Sequence, residues 1–363
     1  MPLLALPASA QALVPVQHTR PIGIDEQLLG PSGDRSALIR AIDHSLRYLN
    51  SAKAVSDYQN QTVPGITLDR VRRSVQRFRQ LVTTAQSAEA LQAAVNREFV
   101  WYRAVGNDNQ GTVAFTGYFE PVYPASRVPT AEFRYPLFRR PAGLVPGQLT
   151  RLQLEGKDGL QYQQSILRGR DFVYLRDRLQ AFLIQVQGSA RLAFSDGSVM
   201  TVGYDGNNGF PYSSIGRELV NAGKFTLDEL TLPKLIQYFQ QYPQDLDTYL
   251  PRNRSFIFFR NTAGAVATGS LKVPVTPDRS IATDKTKFPP GALALIQATL
   301  PYPTSTGELV SRPVLRYVLD QDTGSAIKGA GRVDIFLGTG KQAGDRAGLI
   351  NSNGSLYYLL LPK

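Results

Sequence analysis

This 363-residue chain has no cysteine and two histidines, His18 and His44, so thiol nucleophiles and cysteine-bound zinc are excluded. A Ser-His-Asp relay would have to recruit His18 from the N-terminal stretch or His44 from inside a helical pattern. Two distant histidines with no acidic cluster between them also make a poor metal site, and no metal is expected. Acid-base work therefore falls to carboxylates. Asp320, Asp322, Asp334 and Asp345 gather among glycines in LDQDTGSAIKGAGRVDIFLGTGKQAGDRAG, from Leu319 to Gly348.

Within RVDIFL, strand alternation sends Val333, Ile335 and Leu337 to one face and Arg332, Asp334 and Phe336 to the other. Asp334 then stands beside an aromatic ring and between Gly-rich turns. Without a site around it, it is a solvated strand aspartate next to an arginine. With one, it is a carboxyl near apolar surface, which gains the raised pKa needed to protonate a leaving group near neutral pH. Lys328 and Arg332, if close, push the other way. Asp322 opens a DTGS turn, where an aspartate commonly bonds its own backbone, or else it orients a substrate hydroxyl or holds the loop carrying Lys328. Thr116, Tyr118, Gln187 and Ser189, at Gly-punctuated strand ends, are the types that hydrogen-bond or stack on a neutral sugar. GTGKQAG, from Gly338, lacks the first glycine and the Ser or Thr of a phosphate loop, and no dinucleotide fingerprint follows a strand, so no nucleotide cofactor is expected.

The elements that must position these residues can be read from periodicity. Leu38, Ile39, Ile42, Leu46 and Leu49 form one helical stripe, and Leu68, Val71, Val75, Phe78, Leu81 and Val82 a second. A third helix is predicted from Ala88 to Phe99 behind Ser87, and a fourth from Thr226, whose spacing to Glu229 fits a capping box. From Trp101 the pattern changes to short strands: TVAFTGYF, DFVYL, AFLIQVQGSARLAF, SFIFF, ALALIQATL, VLRYVL, RVDIFL and SLYYLLL. With no regular strand-helix alternation, one or two β-barrels with a helical N-terminal segment fit better than a doubly wound sheet. At 42% apolar and 19% charged residues the chain has the composition of a folded protein. Its formal net charge of +11 speaks to anionic partners or matrices. A nucleic-acid binder would also need aromatic residues within a basic stripe, and no nucleic-acid partner is expected. The N-terminal apolar run ending in Ala8-Ser9-Ala10 reads as the end of an export signal without its charged start. No stretch is long enough for a membrane helix.

FTGYFEPV, VQGSARLAFSDGS, GYDGNNGFPYSSIGREL, NRSFIFF, RSIATDKTKFPPGALALIQATLP and DTGSAIKGAGRVDIFLGTGKQAGDRAG together resemble the membrane-bound lytic murein transglycosylase A family. The C-terminal part of that family is known as the three-aspartate domain. The motifs run in the family's order over residues 115–363, while residues 1–100 match weakly. The resemblance implies a mainly β fold. A double-psi, barwin-like β-barrel is built from 1–122 and 257–363 with N-terminal helices, and a second β-barrel of 123–256 is inserted into it. A groove between them takes a peptidoglycan glycan strand. The implied activity cleaves the β-1,4 bond between N-acetylmuramic acid and N-acetylglucosamine to leave 1,6-anhydromuramic acid, with no cofactor. By motif, Asp334 matches the single catalytic acid and base, and Asp322 a second active-site aspartate. Thr116, Gly117 and Tyr118 of FTGY, Gln187, Gly188 and Ser189 of VQGS, and Lys328 of AIKG match groove residues. Two departures stand out: no acylated cysteine, and one residue more between Asp322 and Asp334 than is usual. The implied setting is the periplasm or cell envelope, with outer-membrane association not made through a lipoprotein cysteine. The expected state is a monomer with other cell-wall enzymes as partners. A non-catalytic, expansin-like wall-binding or loosening protein is the alternative, since the barwin-like barrel also serves that role.

Overall fold

The computed structural model describes residues 11–16, 23–30, 33–60, 63–227 and 229–363. The export-signal reading on residues 1–10 and His18 lie outside them. In chain order the described elements begin with β1 (Leu13–Val16), α1 (Arg35–Leu49), α2 (Ala52–Gln59), α3 (Leu68–Thr84), α4 (Ala88–Glu98), β2 (Val100–Ala104) and β3 (Val113–Glu120). There follow β4 (Val122–Ser126), β5 (Tyr135–Phe138), α5 (Arg151–Glu155), β6 (Asp171–Leu175), α6 (Arg178–Gln187), β7 (Ser189–Ala193) and β8 (Val199–Asn207). Next come α7 (Ile215–Asn221), α8 (Leu232–Gln241), α9 (Leu246–Tyr249) and β9 (Ile257–Asn261). The chain ends with β10 (Ser280–Ala282), β11 (Leu293–Pro303), β12 (Leu309–Asp322), β13 (Arg332–Thr339), α10 (Lys341–Leu349) and β14 (Asn351–Leu360).

These fall into two compact units. The first takes the described parts of Met1–Gly117 with Gly269–Phe336 and Ile350–Lys363. Its strands run β14-β11-β12-β10-β13-β3 and close through a β3–β14 pairing, so six strands make a ring, and β1 and β2 extend it from β14. The C-terminal strand holds the ring together: Asn351–Gly354 pair with β3, Ser355–Tyr358 with β11 and Tyr357–Leu360 with β2. β10 pairs parallel with β12 and antiparallel with β13. The helices cap as their sequences direct. Thr67 accepts from the Arg70 N–H and Ser87 from the Ala90 N–H, and α3 buries Val71, Val75, Phe78, Leu81 and Val82 on one face.

The second unit takes Tyr118–Thr268 and Leu337–Leu349. Its strands run β5-β6-β4-β7-β8-β9, with β5 lying beside β9. The boundary differs from the 123–256 read from the sequence. Tyr123 lies within β4, and Phe256 immediately precedes β9, both strands of this sheet, while β3 and β13 each run from one unit into the other. Residues Leu337–Leu349, with α10, join the second unit because the Gly340 N–H donates to the Glu120 carbonyl (2.8 Å) and Glu120 also accepts from Thr339 Oγ1 (2.8 Å).

Two local readings are corrected. AFLIQVQ, read as strand, is the body of α6. Asp177 caps its start through the Leu179 N–H (2.6 Å), Gly188 closes it in the left-handed region (φ 80°), and the strand begins only at Ser189. A short apolar run has no period that separates a buried helix from a buried strand, and here the caps decide. Thr226 and Glu229 do bond (2.8 Å), but they close a turn, and α8 starts later, at Leu232 behind Thr231.

Candidate active site

Three-residue strand β10 sets the site. Its Ala282 is the register partner of Asp322 on β12 and of Asp334 on β13, so the two aspartates occupy matching positions on the strands either side of it. A bulge after Ile281 makes Asp320 and Asp322 oppose consecutive residues of β10 instead of alternate ones. Asp320 is fully buried, where it accepts from Thr283 Oγ1 and Tyr358 Oη and pairs with Lys285, and burial holds its carboxyl above the ordinary range. Asp322 is only half-buried.

Asp334 follows the alternation read from its strand: Val333 and Ile335 are fully buried, while Asp334 is half-buried. Its Oδ1 is sealed from solvent and has no hydrogen-bond partner among the described residues. Burial pushes its pKa from 3.8 up to about 6, the Arg332 charge working against the shift and the Asp322 charge adding to it. Asp322 is tied differently. Its Oδ1 accepts from the backbone N–H of Thr323 (2.8 Å) and of Ser270 (2.8 Å), so it anchors the segment at Ser270. Thr116 on β3 accepts from Arg332 Nη2 at 3.1 Å, and Gly117 follows it. Lys328 is exposed on the loop between β12 and β13. One carboxyl thus has a pKa raised toward neutrality and a buried oxygen with no partner among the described residues, and a second stands two strands away with an oxygen already engaged.

The other sequence-derived residues lie in the second unit. Gln187 ends α6, Gly188 is its left-handed cap and Ser189 opens β7 opposite Gly203. Gln187 Oε1 accepts the Phe119 N–H (3.0 Å), which ties the α6–β7 corner to the part of β3 that carries Tyr118. Among the described residues no group of His, Cys, Asp and Glu is placed to hold a metal ion.

The MltA-specific insert domain matches residues 114–260 and the 3D domain residues 279–360. A relative from Escherichia coli strain K12 named membrane-bound lytic murein transglycosylase A is 32% identical over 260 residues, covering 70% of this chain and 67% of that protein. The chain belongs to the membrane-bound lytic murein transglycosylase A family. Solved structures similar to this chain include the membrane-bound lytic murein transglycosylase from Agrobacterium tumefaciens, 28% identical with a TM-score of 0.72 over 90% of this chain and 93% of that one. The Escherichia coli MltA structure with bound chitohexaose is 26% identical, with a TM-score of 0.72 over 97% of this chain and 95% of that one.

Sequence reasoning missed Asp284, which bonds to the loop bearing Lys328. Its Oδ2 accepts the Gly329 N–H (2.9 Å), next to Lys328, and its Oδ1 accepts from Thr286 N–H (3.0 Å) and Oγ1 (2.7 Å). Burial alone would raise it, but these hydrogen bonds and the Lys328 charge hold it below the ordinary range. The only local signal was the Asp-x-Thr spacing, which any Asx-turn shares. The loop bearing Lys328 is therefore held by Asp284, a role the sequence reading had offered to Asp322.

Proposed function

We propose that this chain is a peptidoglycan lytic transglycosylase in which Asp334 serves as both acid and base. The activity class follows from family membership; the residue roles are carried by one observation, the carboxyl of Asp334 with its Oδ1 buried and unpartnered among the described residues and its pKa raised to about 6. Protonated, it donates to the oxygen that links N-acetylmuramic acid to N-acetylglucosamine. As carboxylate, it then takes the proton from the muramic acid 6-hydroxyl, whose oxygen attacks C1 and closes the 1,6-anhydro ring. The attack is intramolecular, so its effective molarity is high and no water need be held. A hydrolytic reading would need Asp322 as the base that activates water. Its Oδ1 already accepts two backbone N–H groups, which makes it a poor candidate.

In this reading the discontinuous unit is the catalytic domain and carries Thr116, Gly117, Asp322 and Lys328 as glycan contacts. The inserted unit supplies Tyr118, Gln187, Gly188 and Ser189. A glycan strand is the partner the relative with bound chitohexaose supports. Membrane-bound relatives support an exported, envelope-associated protein, which we assign to the periplasm as a monomer. No observation favours the expansin-like alternative. The test is mass spectrometry of fragments released from purified sacculi. Disaccharides one water lighter than hydrolysis products are expected, and reducing-end products would make the chain a muramidase. Solubilisation by Asp334→Asn should fall by about 10⁴-fold, the upper end for loss of general acid-base help, while sacculus pull-down is retained.

A further inference from the structure

Arg332 and Asp334 are two residues apart on β13 and so share a face of the strand. A guanidinium this near a carboxylate ordinarily closes on it as a paired, charge-assisted contact. Here it does not. No ion pair joins them among the described residues: Asp334 Oδ1 is buried with no partner, and Arg332 Nε is likewise buried with no acceptor. The guanidinium instead donates through Nη2 to the Thr116 hydroxyl on β3, at 3.1 Å. Both residues belong to the same compact unit, and β3 and β13 are neighbours in its ring.

We propose that Thr116 is a positioning residue for catalysis: its hydroxyl holds the Arg332 guanidinium off Asp334 and so leaves that carboxyl free to carry its proton to the substrate. This rests on the reading of Asp334 as the acid. The other charges on the elements around Asp334 leave Arg332 as the cation that matters. The Val113–Gly117 part of β3 and the whole of β10 carry no charged residue, and Asp322 on β12 is an anion held at Ser270 and Thr323. Asp284 is engaged by Gly329 and Thr286, and Lys328 on the loop is exposed. Arg332 alone works against the proton on Asp334, and its distance from the carboxyl is set by what it bonds instead.

The experiment is the pH–rate profile of sacculus solubilisation for Thr116→Val, Thr116→Ser and Arg332→Gln, alongside Asp334→Asn. Valine keeps the shape and removes the acceptor, so the guanidinium turns to the carboxylate and the alkaline limb moves toward acid. A movement of one pH unit is a tenfold loss of rate above the limb. Serine keeps the acceptor and should keep the limb where the wild type has it. Arg332→Gln removes the opposing charge and should move the limb toward alkali. The proposal is overturned if Thr116→Val lowers the rate with the limb in place, which loss of a glycan contact by itself would produce, or if serine and valine behave alike. A turnover-competent Asp334→Asn would overturn the acid assignment itself, which is a separate outcome. Circular dichroism and sacculus pull-down of each variant separate a shifted limb from a misfolded chain.

Discussion

Replacing Asp322 with Asn tests the electrical coupling between the two aspartates. Both are register partners of Ala282, so their Cα atoms stand two strand spacings apart, about 9.5 Å. A unit charge at about 9.5 Å interacts with another by ~1.7 kcal/mol at an effective dielectric of about 20, and by about 0.4 kcal/mol in bulk water. Removing the Asp322 charge should therefore lower the Asp334 pKa by between about 0.3 and 1.3 units. The sign is fixed, because the Asp322 anion disfavours ionisation of Asp334 and its loss favours it. At pH 7 a group with a pKa of about 6 keeps roughly a tenth of its molecules protonated, against fewer than about one in a thousand at 3.8. The burial-driven rise is therefore most of what makes Asp334 usable as an acid. The assay is initial solubilisation rate from pH 4.5 to 8 at constant ionic strength, comparing the position of the alkaline limb and not its height, since Asp322 also anchors Ser270. An alkaline limb that stays in place, or moves toward alkali, would refute the coupling.

Asp334→Asn should stabilise the fold at pH 7 while it abolishes turnover. The folded-state pKa lies above the ordinary value, so the wild type loses stability as pH rises from 3.8 through about 6, by at most about 3 kcal/mol, and the neutral amide does not. Thermal melts should show the gain at pH 7 and none at pH 3.5; equal melting at both would contradict the buried-charge account. Arg279 is fully buried and paired with Asp25 and Asp34 immediately before β10, so Arg279→Ala should cost roughly 3–5 kcal/mol in urea unfolding, and a loss under about 1 kcal/mol would deny the pairing its role. At Gly354 a Cβ would lie 1.9 Å from the Gln297 carbonyl oxygen of β11, and backbone cannot give way as a side chain can. Gly354→Ala should thus open the ring at β14, costing about 1–3 kcal/mol or more and visible as lost amide protection in β3 and β14.

Local pattern carried the reading where the environment was local. The alternation of RVDIFL placed Asp334 off the aliphatic face, as its half-buried side chain between buried Val333 and Ile335 bears out. The stripes of α1 and α3 and the Ser87 cap were equally legible. Alternation failed at α6, where a helix packed on several sides shows no polar face, and at Thr226, where capping chemistry formed without a helix behind it. Pairing across long stretches of chain was out of reach. Nothing near Thr116 announces an arginine 216 residues on, and nothing in RSIATDK announces that Ala282 will sit between two aspartates. Asp284 was hidden for a different reason: its turn chemistry is local and common, and only the Gly329 contact ties it to the loop bearing Lys328.

Because Ala282 is the partner of both aspartates, their separation is measured across the hydrogen-bonded ladder and not along the chain that joins them. The connecting segment from Thr323 to Gly331 is therefore a tether without authority over the distance it spans. A residue added to it would lengthen a loop and leave the carboxyl spacing where β10 puts it, at an entropic cost that grows only slowly with loop length. Ser325 and Ala326, exposed at its turn, mark a place where the chain can accept further insertions, including a grafted recognition peptide, without redrawing the reaction centre. The same property makes β10, three residues long, the least replaceable strand of the barrel: a slip of one residue there would re-register both carboxyls at once.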